Sequence, residues 1–156
     1  MSSHSLPNLT AHIVPLSVGS TFEVARQEWD LVGIEISQEW DNCPCGQDIK
    51  EHCYIRNRLN GNSTYVGNVC INKFIRIDTG SLFDGLKRIA QDDTANANHD
   101  LIEHAWRVGY LFGEKEYNFL MQTARKRNLS QAQIEWKRKI NRRILSHTIV
   151  QRRTQR

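Results

Sequence analysis

Apolar residues recur along this chain with two different periods, and the change from one to the other divides it. The first 20 residues mix Ser, Pro, Thr and Gly with isolated apolar positions, which predicts a loosely ordered arm. From Thr21 the spacing is ambiguous: Phe22, Ala25 and Trp29 recur as on a helix, whereas Leu31 to Ile36 alternates as on a strand. Short β-like runs follow, Glu51 to Asn57 and Ser63 to Asn68. Between them stands Asn60-Gly61, a pair that tolerates positive φ, so the pattern predicts a β-hairpin. Beyond it, Val69 to Ile77 reads either as a further strand or as a helical turn beginning at Cys70, closed by a turn at Thr79-Gly80.

The period then lengthens to that of a helix. Leu82, Phe83, Leu86 and Ile89 share one side of 81–90; Leu101, Ala105 and Val108 mark 100–111; Tyr117, Leu120, Met121 and Ala124 mark 114–127. A fourth helix has the clearest start. Ser130 with Gln133 three residues on makes a capping box, and Trp136, Ile140 and Ile144 then recur as a narrow stripe. Residues 91–100 read as a polar connection between an N-terminal metal half and a C-terminal helical half. The organisation is therefore α+β: an arm over 1–20, a β-hairpin module over 21–80, a helical region over 81–150 with a basic last helix, and a frayed tail over 151–156.

Charge sharpens this division. The chain of 156 residues carries +4 overall, yet residues 121–156 hold 11 Lys or Arg against the single acid Glu135, leaving an acidic remainder. A basic end on an acidic body is the footprint of a polyanion partner, although a solvated helix face has the same composition. Arg125, Lys126, Arg127, Lys137, Arg138, Lys139, Arg142 and Arg143 are the candidate phosphate contacts. Trp136 could stack on a base, but its place on the apolar stripe favours the core. No apolar run approaches the 18 residues of a membrane span and no leader pattern opens the chain, so a reducing cytoplasm is the expectation.

All four cysteines, Cys43, Cys45, Cys53 and Cys70, fall within 28 residues. Zinc takes about four ligands in a tetrahedron, and these four thiols would come from a loop, a strand and the residue after a hairpin. The arrangement suggested is treble-clef-like, with Cys-Pro-Cys-Gly as the knuckle and Gly46 allowing its tight turn. Lys50, Arg56, Arg58, Lys73 and Arg76 would offset the charge of a four-thiolate site. One residue between the knuckle cysteines is fewer than usual, which leaves free thiols, a disulfide, or His52 in place of one cysteine as rivals. Neighbours on a strand face opposite ways, so His52 and Cys53 are not expected on one ion.

Four thiolates saturate zinc and suppress its Lewis acidity, which makes the expected metal structural. Glu51 and His52 then read as hairpin surface. His99 and His104 lie five apart, about 140° around a helix, and lack the order of a metalloprotease motif. No phosphate loop, nucleophile elbow or Ser-His-Asp pattern occurs, and no small-molecule substrate is indicated.

The segment from Cys43 to Phe74 resembles a small cysteine module of phages, prophages and large DNA viruses. The positions that carry the resemblance are Cys43, Cys45, Gly46, Cys53, Ile55, Asn57, Val66, Gly67, Cys70, Ile71 and Phe74, and similar flanking segments extend it over roughly 22–145. The resemblance implies a zinc-binding protein of mobile-element type. The function expected is that of a non-enzymatic protein with one structural zinc that presents its basic helices to DNA or RNA; the alternatives are a protein-interaction adaptor and a treble-clef nuclease.

Overall fold

The computed structural model describes residues 5–73 and 79–151; the expectations for Phe74, Arg76 and the residues beyond Gln151 lie outside them. The chain forms two compact units, Met1–Thr79 and Gly80–Arg156.

The first unit is built on a three-stranded antiparallel sheet in the order β1-β2-β3, with β1 at Trp29–Asn42, β2 at Asp48–Asn57 and β3 at Ser63–Gly67. The predicted hairpin is β2–β3, and Gly61 takes φ +79 in its turn. The ambiguous stretch before it resolves into both alternatives in succession. Thr21 caps a single helical turn, α2 (Phe22–Ala25), a 3-10 turn follows over Arg26–Glu28, and β1 then adds a strand beyond the hairpin. Register shifts between Leu31 and Gly33 and between Ile36 and Asp41 interrupt the alternation, which hid the length of β1 in the sequence.

The expected loose arm contains a helix. Ser5 caps α1 (Leu6–Ile13), Pro7 sits in its first turn, and Leu9 and Ile13 are fully buried. Eight residues are too few for helical propensity to sustain, so burial of these side chains with the sheet core of Trp29, Leu31, Ile34, Ile55 and Val66 is what orders it. A buried carboxylate organises the loops: Glu28 accepts from Val18 N at 2.8 Å, Gly19 N at 2.7 Å and Asn57 Nδ2 at 2.8 Å. The Asn57 donor, then the Val18 amide, hold its carboxyl below the usual range against the opposing effect of burial.

The second unit is helical. It contains α3 (Thr79–Gln91, whose first residue belongs to the first unit), α4 (His99–Val108), α5 (Glu114–Gln122) and α6 (Gln131–Leu145). Leu82, Phe83, Leu86, Ile89, Leu101, Ala105, Leu120, Ile140 and Ile144 lie in its core, as the helical spacing predicts, and Ile102 joins them. Thr79 and Gly80 open α3 and make no turn; Thr79 is fully buried and its hydroxyl donates to Asn68, a tertiary contact that settles what the local pair left open. Helix α4 stops at Val108 because Gly109 takes φ +99, where a Cβ would stand 2.4 Å from the Gln151 carbonyl oxygen. Helix α5 ends five residues earlier than its apolar spacing suggests, and the Thr123 hydroxyl donates back to Phe119 O at 2.6 Å. Both bonds of the Ser130–Gln133 capping box are present.

Residues 91–100 do not join a metal half to a helical half. They lie inside the helical unit, where Asn141 Nδ2 of α6 donates to Asp93 O at 2.9 Å and to Ala95 O at 2.8 Å.

Candidate functional site

Cys43 and Cys45 stand on the turn joining β1 to β2. Gly46 takes φ +100 there, Gly46 N donates to Cys43 O at 2.8 Å, and Cys43 N donates to Gln47 O at 2.8 Å, which ties the knuckle closed. Cys70 opens the 3-10 turn Cys70–Lys73 that follows β3. Helix α1 braces the group: Asn8 Nδ2 donates to Cys45 O at 3.3 Å, and one turn on, His12 Nε2 bonds the Thr64 hydroxyl of β3 at 2.7 Å. The three sulfurs lie within 4.8 Å of one another, and all three residues are buried.

A shared thiolate suits this pocket. The Cys70 thiol donates to Cys43, joined by the Cys45 amide and by Gly67 N at 3.3 Å, and together they overcome burial and hold the Cys43 thiol well below its ordinary range. The same hydrogen bond, reinforced by burial, pushes Cys70 far up. Four-coordinate zinc with Zn–S bonds of about 2.3 Å needs sulfurs roughly 3.8 Å apart. A cluster within 4.8 Å meets that with sub-ångström movement, so the donor set fits a soft divalent ion at three of its four positions.

Cys53 stands apart from this group. Its residue pairs with Ile34 on β1 and Val66 on β3, so it lies in the middle of the sheet's buried row while the other three thiols occupy loops. Burial first, then the charges of Glu51 and Cys43, pushes its thiol up to about 12, the behaviour of a core thiol. His52 is also not surface. It is buried, its Nε2 lies 3.1 Å from Asp41 Oδ2, and its ring stacks beside Tyr54 and meets Tyr65 edge-on. Glu51 accepts from Asn68 Nδ2 at 3.1 Å. Neither residue belongs to the thiol group.

The eight basic candidates divide. Lys137 is fully buried, its ammonium donating to Asn96 Oδ1 and to Thr123 O at 3.2 Å and lying 5.7 Å above the Phe119 ring; burial lowers it to about 8. Arg143 pairs with the buried Glu116 at 2.7 Å and also donates to Tyr110 O at 2.9 Å. Arg138 and Arg142 share Asp93 at 3.2 and 2.7 Å, and Arg138 reaches Glu135 as well. Arg125, Lys126 and Arg127, on the α5–α6 connection, and Lys139 on α6 are exposed and have no ion pair among the described residues. Their backbone is nevertheless held, since Asn96 Nδ2 donates to Lys126 O at 2.9 Å. Trp136 stacks on Phe119 at 4.1 Å and donates to Glu116 Oε2 at 3.0 Å, in keeping with a packing role.

His99 and Glu103 are exposed, whereas His104 is buried with neither ring nitrogen hydrogen-bonded among the described residues. Asn8, Asp93 and Glu116 are the residues around these sites that spacing did not reveal, because their partners lie 37, 45 and 27 positions away. No described helix is long and apolar enough to cross a membrane. Comparison with protein-family models, curated proteins and solved structures returns no match.

Proposed function

We propose that this is a zinc-binding, non-enzymatic protein that contacts the phosphates of DNA or RNA through the exposed half of its basic surface. The observation that carries the reading is the set Arg125, Lys126, Arg127 and Lys139. These are solvent-facing cations that have no acidic partner among the described residues and stand on a well-anchored backbone, while the other four candidates are engaged by protein groups. Phosphate binding by such a surface gains from counterion release. Zinc on Cys43, Cys45 and Cys70 would fasten the β1–β2 knuckle to the end of β3, a treble-clef-like use of the metal. Among the described residues no carboxylate or imidazole joins the three-sulfur group to serve as a base, which supports a structural role over a nuclease.

The test is oligonucleotide binding across a salt series. Changing Arg125, Lys126, Arg127 and Lys139 together to Gln is expected to flatten the log–log salt slope by about 3 to 4. An unchanged slope would defeat the reading.

One observation favours docking to a protein instead: Trp40, at the irregular end of β1, is 68% exposed with the Lys50 ammonium 4.9 Å from its ring centroid. Binding that is insensitive to salt and lost in Trp40→Ala would move the assignment to the adaptor.

A further inference from the structure

A cleft of about 320 Å³ in the helical unit gathers cationic side chains that apolar spacing did not single out together. It is lined by Ser81 and Arg88 of α3, by Asn98, His99 and Asp100 at the start of α4, and by Arg125. Its floor is specified residue by residue. Ser81, Gly85 and Arg88 are spaced four and three apart along α3 and so share one face. Asn98 closes against that face, donating through Nδ2 to Ser81 O at 2.8 Å while its Oδ1 caps Leu101 N at 2.9 Å. Gly85 is what lets it approach, because a Cβ there would meet the Asn98 amide at 2.7 to 2.9 Å. Arg88 and Arg125 are both exposed on this cleft, and neither guanidinium has a hydrogen bond or ion pair among the described residues.

Two unpaired guanidinium groups on one concavity concentrate positive potential there, and their planar forks match the oxygens of a phosphate group. Asp100 offsets part of the charge and leaves an excess of positive groups on the lining. We infer that the Arg88–Arg125 cleft is a phosphate-binding site. Resting on the nucleic-acid reading above, the phosphate it holds is a backbone phosphodiester, which fixes the register of the strand on the surface beside Lys126 and Arg127.

The experiment uses the full metal-loaded chain and two probes. Inorganic phosphate, titrated at constant ionic strength, is expected to shift the arginine Nε–Hε resonances of Arg88 and Arg125 together and saturably. Arg88→Gln, at an exposed helix position that leaves the core intact, is expected to weaken that binding and the affinity for an oligonucleotide each about tenfold. Lys139→Gln, outside the cleft, should weaken the oligonucleotide alone. Absence of a saturable shift, together with an Arg88→Gln protein that binds the oligonucleotide like the wild type, would overturn the site while leaving the nucleic-acid reading intact. A saturable, Arg88-dependent phosphate shift in a protein that binds no oligonucleotide would keep the site and remove that reading.

Discussion

The sheet unit and the helical unit use their polar residues in opposite ways. In the sheet unit the chemically distinctive side chains, the thiols of Cys43, Cys45 and Cys70, are collected on loops beyond the strand ends, and the strands beneath them are ordinary. The helical unit spreads its charges along α5, α6 and the connection before α4, and about half of them point inward as braces between elements. One unit concentrates its dependence on a single site, whereas the other distributes it. Loss of stability should therefore be abrupt and local in the first and graded in the second.

The largest expected effect is metal removal. If the proposed zinc fastens the knuckle to the end of β3, chelation or Cys70→Ser should remove amide protection from β1–β3 while α3–α6 keep theirs, since structural zinc binding in small modules is worth about 10 kcal/mol. Cys53→Ala sharpens the contrast, because the loss of a thiol outside the three-sulfur group should leave the proposed metal in place and cost about 1 to 2 kcal/mol in packing. A Cys70→Ser protein that retained its metal and thermal midpoint would break the comparison at its first term.

Next comes Glu116. Its carboxylate accepts from Arg143 at 2.7 Å, from Phe112 N at 2.8 Å and from Trp136 at 3.0 Å, tying the start of α5 to α6. Burial pushes this carboxyl up, but the three donors outweigh it and leave it below its ordinary range. Glu116→Ala strands a buried guanidinium and should cost about 3 kcal/mol, read as a lower urea midpoint of the helical unit alone.

His104 sets a pH dependence on the same unit. Burial, with lesser contributions from Arg107 and His147, holds the imidazole at about 4, so between pH 6.5 and 4 the unfolded chain takes up a proton that the folded chain refuses. Stability then rises with pH across that window and falls on acidification, by up to about 3 kcal/mol. His104→Leu should flatten the profile between those limits, and an unaltered profile would mean that the imidazole accepts a proton in place.

What was legible in the sequence follows the same line between local and distant causes. The hairpin was visible because Gly61 supplies the positive φ its turn requires, and α6 because Ser130 and Gln133 lie three residues apart. The cysteines stood out by type and proximity, but which of them converge depends on register, and a strand position opposite Ile34 and Val66 took Cys53 away from the others. Helix α1 was hidden because its order comes from burial of Leu9 and Ile13. The fate of the basic residues was hidden because Asp93, which takes up both Arg138 and Arg142, precedes them by 45 and 49 positions. Charge density along a helix does not distinguish a brace from a binding surface.

The smallest expected change tests that distinction most directly, because it compares two lysines of α6 that are two residues apart. Lys137 is buried, with its ammonium on Asn96 and Thr123 O, and Lys139 is exposed. Lys137→Met keeps the buried stem and removes a desolvated charge, but it takes a donor from Asn96 Oδ1 and leaves Thr123 O with the Lys126 amide alone. These effects oppose each other, so the net change at pH 7 should stay within about 1.5 kcal/mol. The pH profile separates them. Burial lowers Lys137 to about 8 from an ordinary value of 10.5, so across that interval the unfolded chain holds a proton that the folded chain has released, and wild-type stability rises with pH. The neutral amine still donates to Asn96 and Thr123 O, and Lys137→Met should abolish the rise. Oligonucleotide affinity should be unchanged in Lys137→Met and reduced in Lys139→Gln; equal losses from the two would erase the difference between a charge that holds the fold and one that meets a partner.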